Sequence, residues 1–256
     1  MRIQPWVAFG SIVLIALARP AAAAPAAGSG RDALVRAVRA LGGEEALAKV
    51  SSYQVTIRRN IRSSADGIKY VTIEESFQAP DLVRKVSRVE LAGRGGYAVA
   101  SLQVYDGAAG WSDENEKREM TRVAGGALVR VRRVNLPRFG LLRQAARGDV
   151  ESTLLGRVEV NGRKVDRVRI AHPQSEVVYD LDPDTARPVR LEIVAKDYRE
   201  VVVMDDYQPA GGLTLPFRIE TLTHGATEEE LMEDRLTEVR MNPVLPASLF
   251  QSPVEP

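Results

Sequence analysis

The chain has two histidines, His172 and His224, and no cysteine. Neither histidine lies in a His-Glu-x-x-His pattern, and there are no thiolates to complete a zinc site. A general base needs an oriented nucleophile or carboxylate beside it, and the sequence indicates none for either ring. Gly-x-Ser-x-Gly, phosphate-loop and dinucleotide-binding patterns are absent, so no catalytic residue is assigned. Asp180, Asp182 and Asp184 alternate as the first ligands of a calcium loop do. Thr185 then stands where that loop needs glycine, and Leu191 where it needs a bidentate glutamate. Asp-Pro-Asp-Thr is turn chemistry instead, and neither metal nor cofactor is expected. Glu74-Glu75 and Asp205-Asp206 are adjacent in strand-like runs. Strand neighbours point to opposite faces, so neither pair is a catalytic dyad, although one member of each can point inward.

Charge distribution says more. From Met120 to Gly148 there is no acidic residue, and Arg130, Arg132, Arg133, Arg138 and Arg143 are interleaved with Leu136, Phe139 and Leu142. A basic, partly apolar helix can lie on an anionic lipid surface or cover an apolar cavity. It can equally be a covering helix with its arginine stems on apolar surface. The segment from Gly125 to Gly148 is therefore expected to be a lid. Its apolar residues would face a ligand or the sheet, and its arginines solvent or anionic headgroups.

These groups sit in a chain that begins with an export-type leader. Arg2 is followed by an uncharged apolar run from Trp6 to Ala18 and by small residues near 21–26, which gives a signal peptide over residues 1–26 and one domain over 27–256. Without residues 1–26 the chain carries 33 basic against 34 acidic side chains. A formal charge of about −1 argues against a nucleic-acid binder. Periplasmic or secreted location is expected, as a monomer.

The elements that must position these residues are mostly strands. Leu34, Ala37, Val38 and Leu41 mark one helix face, capped by Ser29 or Asp32 and stopped by Gly42-Gly43; a short helix over Glu44–Val50 follows. From Ser52 the period becomes two. Tyr53, Val55 and Ile57 share a face that Arg59 interrupts. Further strands are read near 68–77, 82–91, 99–105, 111–122, 152–160, 165–170, 177–181, 189–195, 201–204, 213–221 and 231–241. Asp66-Gly67 and Asn161-Gly162 serve as hairpin turns. Pro137 can open a helix reaching Arg147. Such a meander must curl, and a curled sheet with one apolar face covered by helices can enclose an apolar ligand. Tyr53, Val55, Ile57, Leu213, Leu215, Phe217 and Ile219 are the candidate cavity residues, and Leu136, Phe139 and Leu142 the candidate lid residues.

Several ordered motifs resemble the periplasmic carriers that sort outer-membrane lipoproteins, the LolA/LolB-like superfamily. They are Ala40-Leu41-Gly42-Gly43-Glu44-Glu45-Ala46-Leu47 with Tyr53, then Tyr105-Asp106-Gly107 with Gly110-Trp111. Asp180 to Thr185 with Pro188-Val189, Tyr207 with Gly211-Gly212-Leu213, and Asn242-Pro243 with Phe250 follow. The resemblance implies an incomplete, half β-barrel of about eleven antiparallel strands lidded by helices. It also implies non-enzymatic shielding of a lipid or acylated protein. The rival reading is a non-catalytic envelope module that docks an acidic partner through Arg130, Arg132 and Arg133.

Overall fold

In a computed structural model, residues 29–63, 67–90, 97–113, 119–123, 139–173, 175–196, 198–224 and 229–251 are described. The leader lies outside them. Two helices, α1 (Gly30–Ala40) and α2 (Glu44–Ala48), precede β1 (Ser52–Ser63), β2 (Gly67–Gln78), β3 (Leu82–Glu90), β4 (Tyr97–Tyr105), β5 (Gly110–Ser112) and β6 (Thr121–Val123). After α3 (Gly140–Arg147) come β7 (Ser152–Val160), β8 (Arg163–Ile170), β9 (Glu176–Leu181), β10 (Pro188–Ala195), β11 (Tyr198–Ala210), β12 (Leu213–His224) and β13 (Glu229–Met241). A 3₁₀ turn, Ala247–Phe250, ends the described chain.

All thirteen strands form one open antiparallel sheet in the order β6-β5-β4-β3-β2-β1-β13-β12-β11-β10-β9-β8-β7. Two local meanders, β1–β6 and β7–β13, are zipped together at a single seam where β1 pairs β13. The expected half-barrel class holds, with thirteen strands in place of about eleven. One reason is local: the stretch 111–122, read as one strand, is two three-residue strands. Separately, β11 runs from Tyr198 to Ala210, well beyond the 201–204 read from alternation; Asp206 takes φ 51° within it, and the register with β12 is the same on either side.

One face carries the core. A row of facing residues crosses eight strands, from Leu154 through Val168, Tyr179, Leu191, Val202, Thr221 and Met232 to Ile61. Helix α1 covers this inner face at β7 and β8. Ser29 caps it in a reciprocal box with Asp32, and Leu34, Ala37, Val38 and Leu41 are buried beneath it as their spacing requires. Gly42 ends the helix at φ 118°, and the Leu41 carbonyl accepts from the Thr214 amide at 3.0 Å, fixing the helix end to β12.

The approach of α1 to β7 is close. A Cβ at Gly30 would stand 2.8 Å from the backbone of Ser152 and Thr153. Gly30→Ala should therefore lift the helix from the sheet edge at a cost of about 1–3 kcal/mol. The expected fall in Tm is roughly 2–10 °C, since 1 kcal/mol shifts a domain of this size by about 2–4 °C. Thermal unfolding by circular dichroism measures this, and an unchanged Tm would show that the helix docks elsewhere.

Candidate functional site

The inner face beneath the helices is the candidate site. Tyr53, Val55 and Ile57 of β1 are buried on it, as are Leu213, Leu215 and Ile219 of β12, and Phe217 packs against the same cluster half-buried. The structure thus brings together all seven residues expected to line a cavity, in one continuous core. Phe139 and Leu142 join that core, and Leu142 is 0% exposed. Their helix packs against α1. Leu136, Arg130, Arg132, Arg133 and Arg138 lie outside the described residues, as does Pro137; the helix itself begins at Gly140.

Polar ties along its C-terminal half hold α3 in place. At its C-terminus Arg31 of α1 donates to the Ala146 and Arg147 carbonyls at 3.1 and 2.8 Å. These are carbonyls that a helix end leaves unsatisfied, and a cation there also suits the helix dipole. Arg143 grips Glu44 of α2 with Nη2 at 2.8 Å and Nε at 3.3 Å, and Arg147 donates to the same carboxylate. Arg143, expected to face solvent or anionic headgroups, is engaged by the Glu44 carboxylate in this structure. Sequence charge alone could not reveal this partner, which is 99 residues away. Magnitudes rank these ties. Burying Phe139 and Leu142 is worth about 1.5–3 kcal/mol each, whereas a partly exposed ion pair is worth less than about 1 kcal/mol. Apolar burial holds α3, and the charges set its orientation.

The inner face is not apolar throughout. Val55, Glu75, Lys85, Gln103 and Ser112 stand in one register row across β1 to β5. Glu75 is 1% exposed and accepts from the Tyr53 hydroxyl at 2.6 Å, with Tyr53 stacked on Phe77. Glu74 points to the outer face and pairs with Arg88 at 2.5 Å, so this acidic pair splits across the sheet as strand geometry demands. Asp205 and Asp206 are both exposed. Arg59 meets Asp234 through two 2.7 Å hydrogen bonds at the seam. Burial alone would lower the Arg59 pKa, but the Asp234 carboxylate raises it. Alternation along β1 and β2 places Arg59 and Glu75 inward; the seam that brings Asp234 alongside is a long-range pairing with no local signature.

Other chemistry-bearing groups are structural. Asp180, 0% exposed, takes Arg167 at 2.7 and 2.9 Å and Arg190 at 3.1 Å. Asp182 accepts from the Thr185 amide at 2.8 Å and from Arg163 at 2.6 Å. Burial would raise its pKa, but these bonds hold it at about 2. The three aspartates therefore do not converge, and among the described residues no three metal-binding side chains do. His172 Nδ1 lies 2.8 Å from the Ser175 hydroxyl, but both are exposed in the turn between β8 and β9. Sequence reading missed that pair; three-residue spacing in a hairpin turn was its only signal.

Solved structures share this arrangement. A LolA-superfamily protein from Nitrosomonas europaea superposes with a TM-score of 0.54 at 12% identity, over 88% of this chain and 99% of that one. The chain has the LolA-type fold. A DUF1329-family protein from Desulfovibrio piger gives 0.55 at 11% identity, covering 87% and 95%. An outer-membrane lipoprotein-sorting protein domain from Vibrio parahaemolyticus gives 0.54 at 11%, covering 86% and 97%. No family model matches the sequence, and comparison with curated proteins gives no match. In this LolA-type sheet the helices close the inner face with few direct polar ties.

The Glu44 tie makes a pH prediction. The hydrogen bond from Arg143, opposed by burial and reinforced by Arg147, lowers the Glu44 pKa below 4.5. A depressed carboxylate contributes stability above its unfolded pKa and loses it as pH falls through the folded value. Glu44→Gln should lower Tm by about 1–4 °C at pH 7, and the gap to wild type should narrow as pH falls below 4.5 and through the lowered folded pKa. A gap that persists in acid would mean that shape, not charge, holds α3.

Proposed function

We propose that this chain is an exported, non-enzymatic carrier that holds a lipid, acyl chain or acylated protein against the inner face of its sheet. The observation that carries this reading is the closure itself. An open sheet of thirteen strands has its apolar face covered by short helices rather than by a second sheet. A solved domain of the same fold, from Vibrio parahaemolyticus, is an outer-membrane lipoprotein-sorting protein domain. The leader supports a periplasmic location, and the chain acts as a monomer on this reading.

The energetics are compatible with exchange. Displacing α3 exposes chiefly Phe139, Leu142, Ala145 and Ala146, at a cost of several kcal/mol. An acyl chain of about sixteen carbons gains about 0.8 kcal/mol for each methylene buried, on the order of 10 kcal/mol in all. Opening the helical cover and filling the space with hydrocarbon is therefore affordable in free energy, and no specific polar contact is required. The cavity residues named above are the surface on which the chain would lie, and Phe139 and Leu142 form the described part of the cover.

Protein purified from membranes should carry lipid detectable by mass spectrometry, and a fluorescent fatty-acyl probe should bind the delipidated protein. Leu215→Asp should abolish probe binding, but it also buries a charge. Ile219→Trp, which fills space without charge, should weaken binding at least about tenfold, a loss of about 1.4 kcal/mol, while circular dichroism still shows the sheet. Absence of both co-purified lipid and probe binding would refute the carrier reading.

A further inference from the structure

The outer face carries a second concavity, across the sheet from the carrier site. It is a groove of about 340 Å3 over β1, β2, β3 and β13, bordered on one side by Leu249 of the terminal 3₁₀ turn. That volume falls within the range of about 300–1,000 Å3 usual for small-molecule sites. Register places its polar side chains in adjacent rows. Arg84 faces Ser76, Ser76 faces Gln54 and Gln54 faces Arg240; in the next row Glu74 and Glu238 flank Thr56.

The charges in the groove pair off unevenly. Glu74 is engaged by Arg88 at 2.5 Å, and Glu238 has Arg240 at 3.9 Å. Glu75 borders the groove but directs its carboxylate to the Tyr53 hydroxyl on the inner face. Arg84 is left half-buried with no hydrogen-bonded carboxylate among the described residues. Burial lowers its pKa, an effect that Glu74 offsets and Arg88 reinforces. Structural arginines on this sheet look different: Arg59 and Arg167 each hold a carboxylate with two bonds. Hydroxyl and amide donors stand near Arg84, with Gln54 Nε2 3.3 Å from Ser76 Oγ.

We infer that the outer-face groove is an oxyanion site in which Arg84, with Ser76 and Gln54 beside it, receives the phosphate or carboxylate of a small polar molecule or a lipid headgroup. A guanidinium fork presents paired donors matched to such groups, and neighbouring hydroxyl and amide groups supply further hydrogen bonds. The site stands on the face opposite the carrier surface, so it can fail without affecting that reading and the reverse.

Isothermal titration and thermal shift with the full chain test it, using inorganic phosphate, acetate and phosphatidylglycerol vesicles in turn. At least one of the three should bind wild type and raise its Tm. Saturation by phosphate or acetate identifies a free anion as sufficient, and binding to vesicles alone identifies the headgroup; either supports the site. Arg84→Gln should weaken binding by about tenfold or more, the loss of a charge-assisted contact. The protein itself should unfold no earlier, because a half-buried charge without a hydrogen-bonded acid has been removed. Arg88→Gln should also weaken binding, because Glu74, freed from Arg88, can then occupy Arg84. No binding by any of the three probes, or equal binding by wild type and Arg84→Gln, would overturn the assignment.

Discussion

One constraint governs this molecule: a single very wide sheet has an apolar face and no second sheet to cover it. Edges β6 and β7 are the two ends of the strand order, so the sheet does not close on itself. Among the described residues, the helices that pack with the inner face have eleven, five and eight residues. These are short, and short helices owe their stability to packing rather than to their own propensity. Their positions are therefore set by the sheet, and the sheet's inner face is kept dry by them. This mutual dependence makes Gly30, the Leu41–Thr214 hydrogen bond and the buried stripe of α1 matter more than any isolated contact.

The charged groups follow from the same constraint. On the outer face charges form ladders, as in the chain from Arg167 through the buried Asp180, Arg190 and Glu192 to Arg199. On the inner face each ionisable group must find a partner, because an unpaired charge out of water is costly. Arg59 takes Asp234, and Glu75 takes the Tyr53 hydroxyl. Breaking a buried pair costs more than the pair contributes, so Arg59 and Asp234 fix the register at the seam that joins the two meanders. The inner surface is consequently mixed: Glu75 and Glu200 are buried on it among core residues such as Ile73, Val83 and Val202.

Local chemistry made much of this legible. The spacing of Leu34, Ala37, Val38 and Leu41, the Gly42-Gly43 stop and the Asn161-Gly162 hairpin each follow from interactions within a few residues. The inward turn of Glu75 follows from strand period alone. Three features were out of reach because they depend on residues far apart. The β1–β13 seam joins segments about 180 residues apart in sequence, and turn signals do not encode it. The grip of Glu44 on Arg143 requires α2 and α3 to meet, so Arg143 reads in sequence as one more free cation. The left-handed backbone at Asp206 hides the true length of β11, since it interrupts alternation without ending the pairing with β12. Arg84 is an instance of the same limit. Its alternation places it on the outer face, but only the pairing of Glu74 with Arg88 shows that it lacks an acid of its own.

The central claim is that α3 is a separable cover on a fixed sheet. Native-state hydrogen exchange tests it most directly, by comparing the amides of α3, from Gly140 to Arg147, with those of β12 from Leu213 to Ile219. On this account the α3 amides exchange through a partial opening of lower free energy than the global unfolding that exposes β12, because a few buried side chains hold the helix and a whole ladder holds the strand. Equal protection of both segments in the ligand-free protein would contradict the account and make α3 an inseparable part of the core.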